Sequence, residues 1–430
     1  MNKALKYSLV IFAVLCTLVG VGLIAASLPL KNAEKETFPE RTTELSSKEP
    51  TETRPVVTEP PVTEPEPAPE TEPTPPEPDE ATLQAMSIEE GMSLHEKICQ
   101  LLFVSPDAIT GVQNTTVAGD ITASALQDYP VGGLIFFSGN LKDRRQVSNM
   151  LEGMTRLSAL PPFLGVDEEG GRVARVMSNP NLGTTKLDSM YAYRGQGTQT
   201  ARKNAKTVAA DLAGLGFNLD FAPVADVWTN PNNTAIGDRA YSDDYTQAAE
   251  LIAAAVEGFH EGGVACTLKH FPGHGDTAAD SHVALPEITR TVDELRTGEF
   301  LPFASGIKAG ADLVMMGHLL IKDADASVPA SLSNPVVTGL LRRELGFDGV
   351  VITDGIGMKA LSAYSEGERC LMALNAGCDM LLGVDDVFAV TRYLETAVQN
   401  GTLPEERLRE SVVRVLRLKI QRGLIPASGN

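Results

Sequence analysis

The sequence predicts an α/β protein folded as a (β/α)8 TIM-type barrel, preceded by a membrane segment and a disordered linker. Three observations carry the barrel. Eight short, almost wholly apolar runs recur within residues 85–430; amphipathic, helix-period segments separate most of them; and ionisable residues gather at the ends of several runs. Short strands buried on both faces and alternating with helices indicate a parallel sheet, and eight such units close into a barrel.

In chain order the runs are Leu101–Val104, Gly133–Phe137, Phe163–Val166, Leu219–Pro223, Cys266–His270, Leu313–Met316, Val350–Thr353 and Met380–Leu382. Helical patterns between them include Gln247–His260, Val336–Leu345 and Gly367–Ala376, and a last one runs over Glu405–Arg422. The polar residues fall at strand C-termini: Asp167 after the third run, Lys269 and His270 at the end of the fifth, His318 after the sixth, Asp354 after the seventh. In this fold those ends form the active-site face, so their collection there predicts an enzyme.

Residues 1–84 read differently. Lys3 and Lys6 precede 23 uncharged positions, Ser8–Leu30, long enough to span a bilayer as a helix. Residues 1–30 are therefore read as an N-terminal membrane anchor, or a signal segment if Ala25-Ala26-Ser27 is cut, with the N-terminus inside and the rest outside. Residues 31–84 are rich in Pro, Glu and Thr and almost free of apolar residues, which predicts a disordered, stiffened spacer. The catalytic domain is assigned to residues 85–430.

The formal charge is −20, and 14 acidic against five basic residues in 31–80 account for −9 of it. The body is acidic as well, which disfavours nucleic acid and anionic lipid as partners. The five cysteines form no CxxC pair, and four of them sit among apolar residues, as buried reduced thiols do.

Four of the six histidines lie between 270 and 318, three of them in Lys269-His-Phe-Pro-Gly-His-Gly-Asp-Thr-Ala-Ala-Asp-Ser-His282. His270 and His274 have the spacing of a helical zinc pair, but Pro272, Gly273 and Gly275 deny that stretch a helix, so no metal is expected there. Asp280 and His282 are two apart, so an extended loop puts both side chains on one side. Asp280 can then fix the imidazole's tautomer and leave the other nitrogen for proton transfer; a plain surface Asp–His pair is the alternative.

That loop resembles the signature of the glycoside hydrolase family 3 β-N-acetylglucosaminidases. Further segments agree in order: Asp167-Glu-Glu-Gly-Gly-Arg-Val-Ala-Arg175, Asn218-Leu-Asp-Phe-Ala-Pro-Val-Ala-Asp226, Gly237-Asp-Arg239, Leu345-Gly-Phe-Asp-Gly-Val-Val-Ile-Thr-Asp354 and Ala376-Gly-Cys-Asp-Met-Leu-Leu382. The resemblance covers about residues 87–424. It implies Asp354 as nucleophile, His282 as general acid/base and Asp280 as its orienting partner. It further implies that Asp167, Arg175, Arg239, Lys269 and His270 grip the sugar, with no cofactor. The histidine loop and the lack of a second domain favour the acetylglucosaminidase branch, acting on peptidoglycan fragments or chitin oligosaccharides. Gly355 departs from the family pattern, where aspartate or another small residue is common, and is expected to alter packing beside the nucleophile.

Lys269, Arg175 and Arg239 are expected to add positive potential around Asp354. Arg172 is read as a structural ion-pair partner and Asp238 as an orienter of Arg239. Asp226 and His318 are left between substrate contact and support. Rival readings are a phosphorylase on the same scaffold, a β-glucosidase or β-xylosidase, and a non-catalytic wall-binding module.

Overall fold

The computed structural model describes residues 77–277 and 285–428. The anchor expected at 1–30, most of the linker, Asp280 and His282 lie outside them. Among the described residues no helix is long and apolar enough to cross a membrane.

Eight strands form one parallel sheet. Counting barrel strands alone, they are β1 (Leu102–Val104), β2 (Gly133–Ile135), β3 (Phe163–Val166), β4 (Leu219–Asp220), β5 (Ala265–Phe271), β6 (Leu313–Met316), β7 (Val350–Thr353) and β8 (Leu381–Leu382). They pair in the order β7-β6-β5-β4-β3-β2-β1-β8. A parallel bridge between Ile352 and Met380 joins the two ends, with Thr353 N donating to Met380 O at 3.1 Å, so the sheet closes into a (β/α)8 barrel.

The apolar runs form strands because both faces are covered: side chains from β1, β2, β3, β6 and β7 are all buried. Inside the barrel the Phe103 ring packs edge-on to Phe221, their centroids 5.1 Å apart. Glycines on neighbouring strands make that room. A Cβ on Gly133 would stand 2.4 Å from the Phe103 ring, and one on Gly165 2.9 Å from its tip.

The intervening helices match the pattern closely: Tyr245–Gly262, Glu366–Ala376 and Glu405–Gln421 each extend the expected segment or stop within a residue of its end. The segment Pro335–Glu344 forms but winds wider, as a π-helix, where the sequence predicts an ordinary helix. A helix at Glu80–Glu90 begins inside the stretch that composition assigns to the spacer. Asp79 caps it through Thr82 N, and it buries Ala85 and Glu89 while packing on Glu405–Gln421.

Asp379, in the last of the quoted segments, belongs to the opposite, N-terminal face of the barrel. Fully buried, it meets Arg342, Arg407 and Arg414 and accepts from Val351 N at 2.9 Å and Ser411 Oγ at 2.8 Å. Its role is to fasten β8 to the last helix. Cys99, Cys266, Cys370 and Cys378 are buried free thiols, as expected.

Candidate active site

The C-terminal mouth of the barrel holds a cleft of about 470 Å³. Its wall includes Asp167, Arg175, Arg239, Lys269, His270 and Asp354, so four strand-end or loop segments far apart in sequence meet there. A volume of this size is that of a small-molecule pocket.

The loop after β3 shapes one side. Glu168 turns inward, and its carboxylate accepts from Arg175 N, Val176 N and Met177 N, each at 2.7 Å. Those three bonds pull the chain back through a tight hairpin, Glu168–Gly170 against Val173–Ala174, and so bring Asp167 and Arg175 to the same rim. Asp167 sits 2.9 Å from Lys269 Nζ and 3.9 Å from Arg175 Nη2.

Glu169 organises the floor, a role that sequence reasoning did not give it. Its carboxylate takes Arg239 in a two-pronged grip, Nε and Nη2 each at 2.8 Å, and Lys269 Nζ at 2.6 Å. Burial pushes the Glu169 carboxyl up, but Arg239 and Lys269 outweigh it and hold the group far below the ordinary carboxylate range. Burial also works against the Lys269 ammonium, and Asp167 and Glu169 more than restore it. The expected positive field around Asp354 is thus corrected: the cations Lys269 and Arg239 are matched by Asp167 and Glu169, and Arg175 is the most loosely paired of the three. A signal for Glu169 existed. It lies two residues from Asp167, the same-side spacing that singled out Asp280 and His282.

His270 is fixed from behind. Its Nδ1 lies 2.7 Å from Asp226 Oδ2, while Asp226 Oδ1 accepts from His270 N at 3.1 Å and His274 N at 2.6 Å. Nδ1–H donates to the carboxylate, which leaves Nε2 for a ligand. Asp226 is fully buried and is absent from the cleft wall, so of its two open readings support is the one realised. His274, by contrast, lines the cleft; its own burial lowers the imidazole pKa and keeps it neutral.

At the far side Asp354 follows β7, with its N–H donating to Met316 O at 2.9 Å and Gly355 N donating to its Oδ1 at 2.7 Å. His318 braces the next peptide. Its Nε2 is 3.0 Å from Gly355 O and its Nδ1 2.7 Å from Ser331 Oγ. Burial lowers its pKa, and a neutral ring with the proton on Nε2 satisfies both partners. His318 therefore supports the strand end. At Gly355 a Cβ would meet Met358 at an ordinary 3.4 Å, so glycine leaves space beside Asp354.

Arg172 pairs with Asp238 at 3.0 Å and donates to three consecutive carbonyls, Thr234 to Ile236, as a structural partner would. Asp238 is thereby taken by Arg172, and Arg239 is oriented by Glu169 and Ala235 O instead, which corrects that expectation. The segment carrying Asp280 and His282 leaves the described fold at Thr277, whose Oγ1 is 2.7 Å from His274 Nδ1, and returns at Leu285.

A barrel whose C-terminal mouth brings a strand-end aspartate together with an interlocked set of carboxylates, cations and imidazoles has the layout of a (β/α)8-barrel enzyme. Residues 93–418 match the Glycosyl hydrolase family 3 N terminal domain, and the chain belongs to that family. It is 40% identical over 263 residues to a β-hexosaminidase of Stenotrophomonas maltophilia, covering 60% of this chain and 77% of that one. It is 35% identical over 319 residues to β-hexosaminidase A of Pseudoalteromonas piscicida, of which it spans about half (53%), with 68% of this chain aligned. A family 3 β-N-acetylglucosaminidase structure from a Paenibacillus species superposes with a TM-score of 0.73 at 36% identity, over 79% of this chain and 65% of that one.

Proposed function

We propose that this chain is a retaining β-N-acetylhexosaminidase that removes terminal β-linked N-acetylglucosamine, with Asp354 as nucleophile, His282 as acid/base and Asp280 as its orienter. The observation that carries the reading is the position of Asp354, at the end of β7 and in the wall of the cleft that also holds Asp167, Arg175, Arg239, Lys269 and His270. The relatives' names, β-hexosaminidase and β-N-acetylglucosaminidase, point to the same substrate class.

In the first step an Asp354 carboxylate oxygen attacks the anomeric carbon while imidazolium His282 gives its proton to the departing glycosidic oxygen. In the second, neutral His282 takes a proton from water, whose oxygen displaces the aspartate and frees the sugar with its configuration retained. A histidine in this role adds no second negative charge beside the nucleophile. Asp167 and His270 Nε2 offer acceptors to sugar hydroxyls, and Arg175 and Lys269 offer donors. The flanks of the histidine loop favour the assignment, because His274, three residues before Thr277, is itself part of the cleft wall.

The apolar stretch Ser8–Leu30 and the Pro/Glu/Thr-rich spacer support a further part of the reading. They would anchor residues 1–30 in the cell membrane and hold the catalytic domain outside, within reach of peptidoglycan fragments.

The test is a panel of aryl glycosides. The β-N-acetylglucosaminide should be cleaved well ahead of the glucoside and xyloside, and Asp354→Ala should lower its kcat by about 10⁴-fold or more. Near-normal turnover by that variant would refute the nucleophile. Accumulation of sugar-1-phosphate when phosphate is added would mark a phosphorylase instead.

A further inference from the structure

The mouth of the barrel divides into two unlike halves. Asp167, Arg175, Arg239, Lys269 and His270 come from β5 and the loops after β3 and β4, and they carry the polar grip. Past Asp354, which follows β7, the sheet continues through β8 and β1 to β2. That arc is lined mainly by apolar side chains, Ile135, Phe137, Leu382 and Val384, and its one charge is Asp385.

Phe137 stands out on this arc. Ile135 and Phe137 are two apart at the end of β2 and both face the cleft, while Phe136 between them turns the other way, fully buried with its ring 5.7 Å from that of Phe217. Phe137 is 45% exposed, a state that among the described phenylalanines only Phe388 shares. Its backbone is nevertheless fixed. Phe137 N donates to Asn140 Oδ1 at 2.9 Å, and the buried Asn140 side chain donates to Asp107 Oδ1 at 3.1 Å and Thr115 O at 3.0 Å. These bonds tie the loop after β2 to the segment after β1, so little ordering entropy remains to be lost there when a ligand arrives.

A β-linked pyranose holds its bulky substituents equatorial. Each face of the ring is then a patch of C–H groups, which lies well against an aromatic ring. The glycosyl unit to be cleaved has its hydroxyls on the polar half and its anomeric carbon at Asp354, and the leaving group starts from that carbon. On one side of β7 the neighbouring β6 lends the cleft only Met315; on the other lies the whole apolar arc. The arc is the surface that a leaving group meets.

We propose that Phe137 is the platform for the leaving group and that this group is a second pyranose ring, stacked by its C–H face, with Asp385 accepting from its hydroxyls. The inference rests on the retaining-glycosidase reading above and adds a specificity residue on the reducing side of the scissile bond. A flexible alkyl or peptidyl leaving group presents no such flat face, so the site selects oligosaccharides.

Two substrates separate the halves of the cleft. N,N′-diacetylchitobiose has a sugar leaving group, whereas β-N-acetylglucosaminyl fluoride releases an ion too small to reach Phe137. In the full-length chain, Phe137→Ala should lower kcat/KM for the disaccharide about tenfold or more, the loss expected for one aromatic contact, and leave that for the fluoride within about twofold. Phe137→Tyr, which keeps the ring, should hold the disaccharide value near wild type. Fluoride turnover by the alanine variant also shows that its barrel is folded. Equal losses on both substrates, or no loss on the disaccharide, would overturn the proposal and leave the assignment of Asp354 untouched. A wild-type chain inert towards both substrates would sink the hydrolase reading itself, and this inference with it.

Discussion

Glu169 shows how much of this site depends on one buried side chain. With two cations against it and 6% of its surface exposed, it fixes the head groups of both Arg239 and Lys269 before any ligand arrives. Glu169→Gln keeps the shape but strands two buried cations with Asp167 alone. It should cost about 3–5 kcal/mol of stability, read by chemical denaturation, and raise KM more than it lowers kcat. At this scale the sequence identified residue types at strand ends and left pairings open. Asp226 and His318 could have faced ligand or protein. They turn out to brace His270 and the Gly355 carbonyl, because their partners come from segments 44 and 37 residues away.

At the scale of elements, the strands were legible because burial on both faces demands unbroken apolar runs, and the positions of those runs gave all eight. The edges were less so. Residues 80–84 look like spacer by composition, yet they begin a helix because Asp79 caps it and the last helix offers a surface to pack on. Glycines within strands carried a message that only the packing decodes. Gly133 and Gly165 are gaps cut for Phe103. Gly133→Ala should destabilise the barrel by about 1–3 kcal/mol, and combining it with Phe103→Leu should recover part of that loss in a double-mutant cycle of denaturation midpoints. Strictly additive losses would show that the ring and the glycine are not in contact.

For the molecule as a whole, the end of the barrel away from the active site carries the stability devices. Lys419 on the last helix is fully buried, 2.8 Å from Gln100 Oε1 and with its ammonium 5.4 Å from the Phe163 ring centre. Burial pushes its pKa down to about 7, against about 10.4 in an unfolded chain. The unfolded chain therefore binds the extra proton between those values, so this group's contribution to stability rises with pH across that window and is least favourable below pH 7. Lys419→Met should raise the unfolding temperature at pH 7 by a margin worth a few kcal/mol, and that margin should shrink as the pH approaches about 10. A margin independent of pH would mean that Lys419 keeps its proton in the fold. Asp379 works the other way: burial opposes its charge, but Arg342, Arg414 and Arg407 prevail and hold the carboxyl low, so its contribution is lost only in strong acid.

The sequence by itself determined that residues past the spacer form eight strands and their helices, and that chemistry gathers at one set of strand ends. Both follow from local periodicity and from which side chains water will not accept. Tertiary structure alone decided which charge meets which: Glu169 with Arg239 and Lys269, Arg172 with Asp238, Asp226 with His270, and at the other end His260 with Cys266, Asp312 and Arg422. Such pairings depend on the closure of the barrel, which brings together side chains dozens of residues apart, and no spacing along the chain encodes the angle at which they arrive.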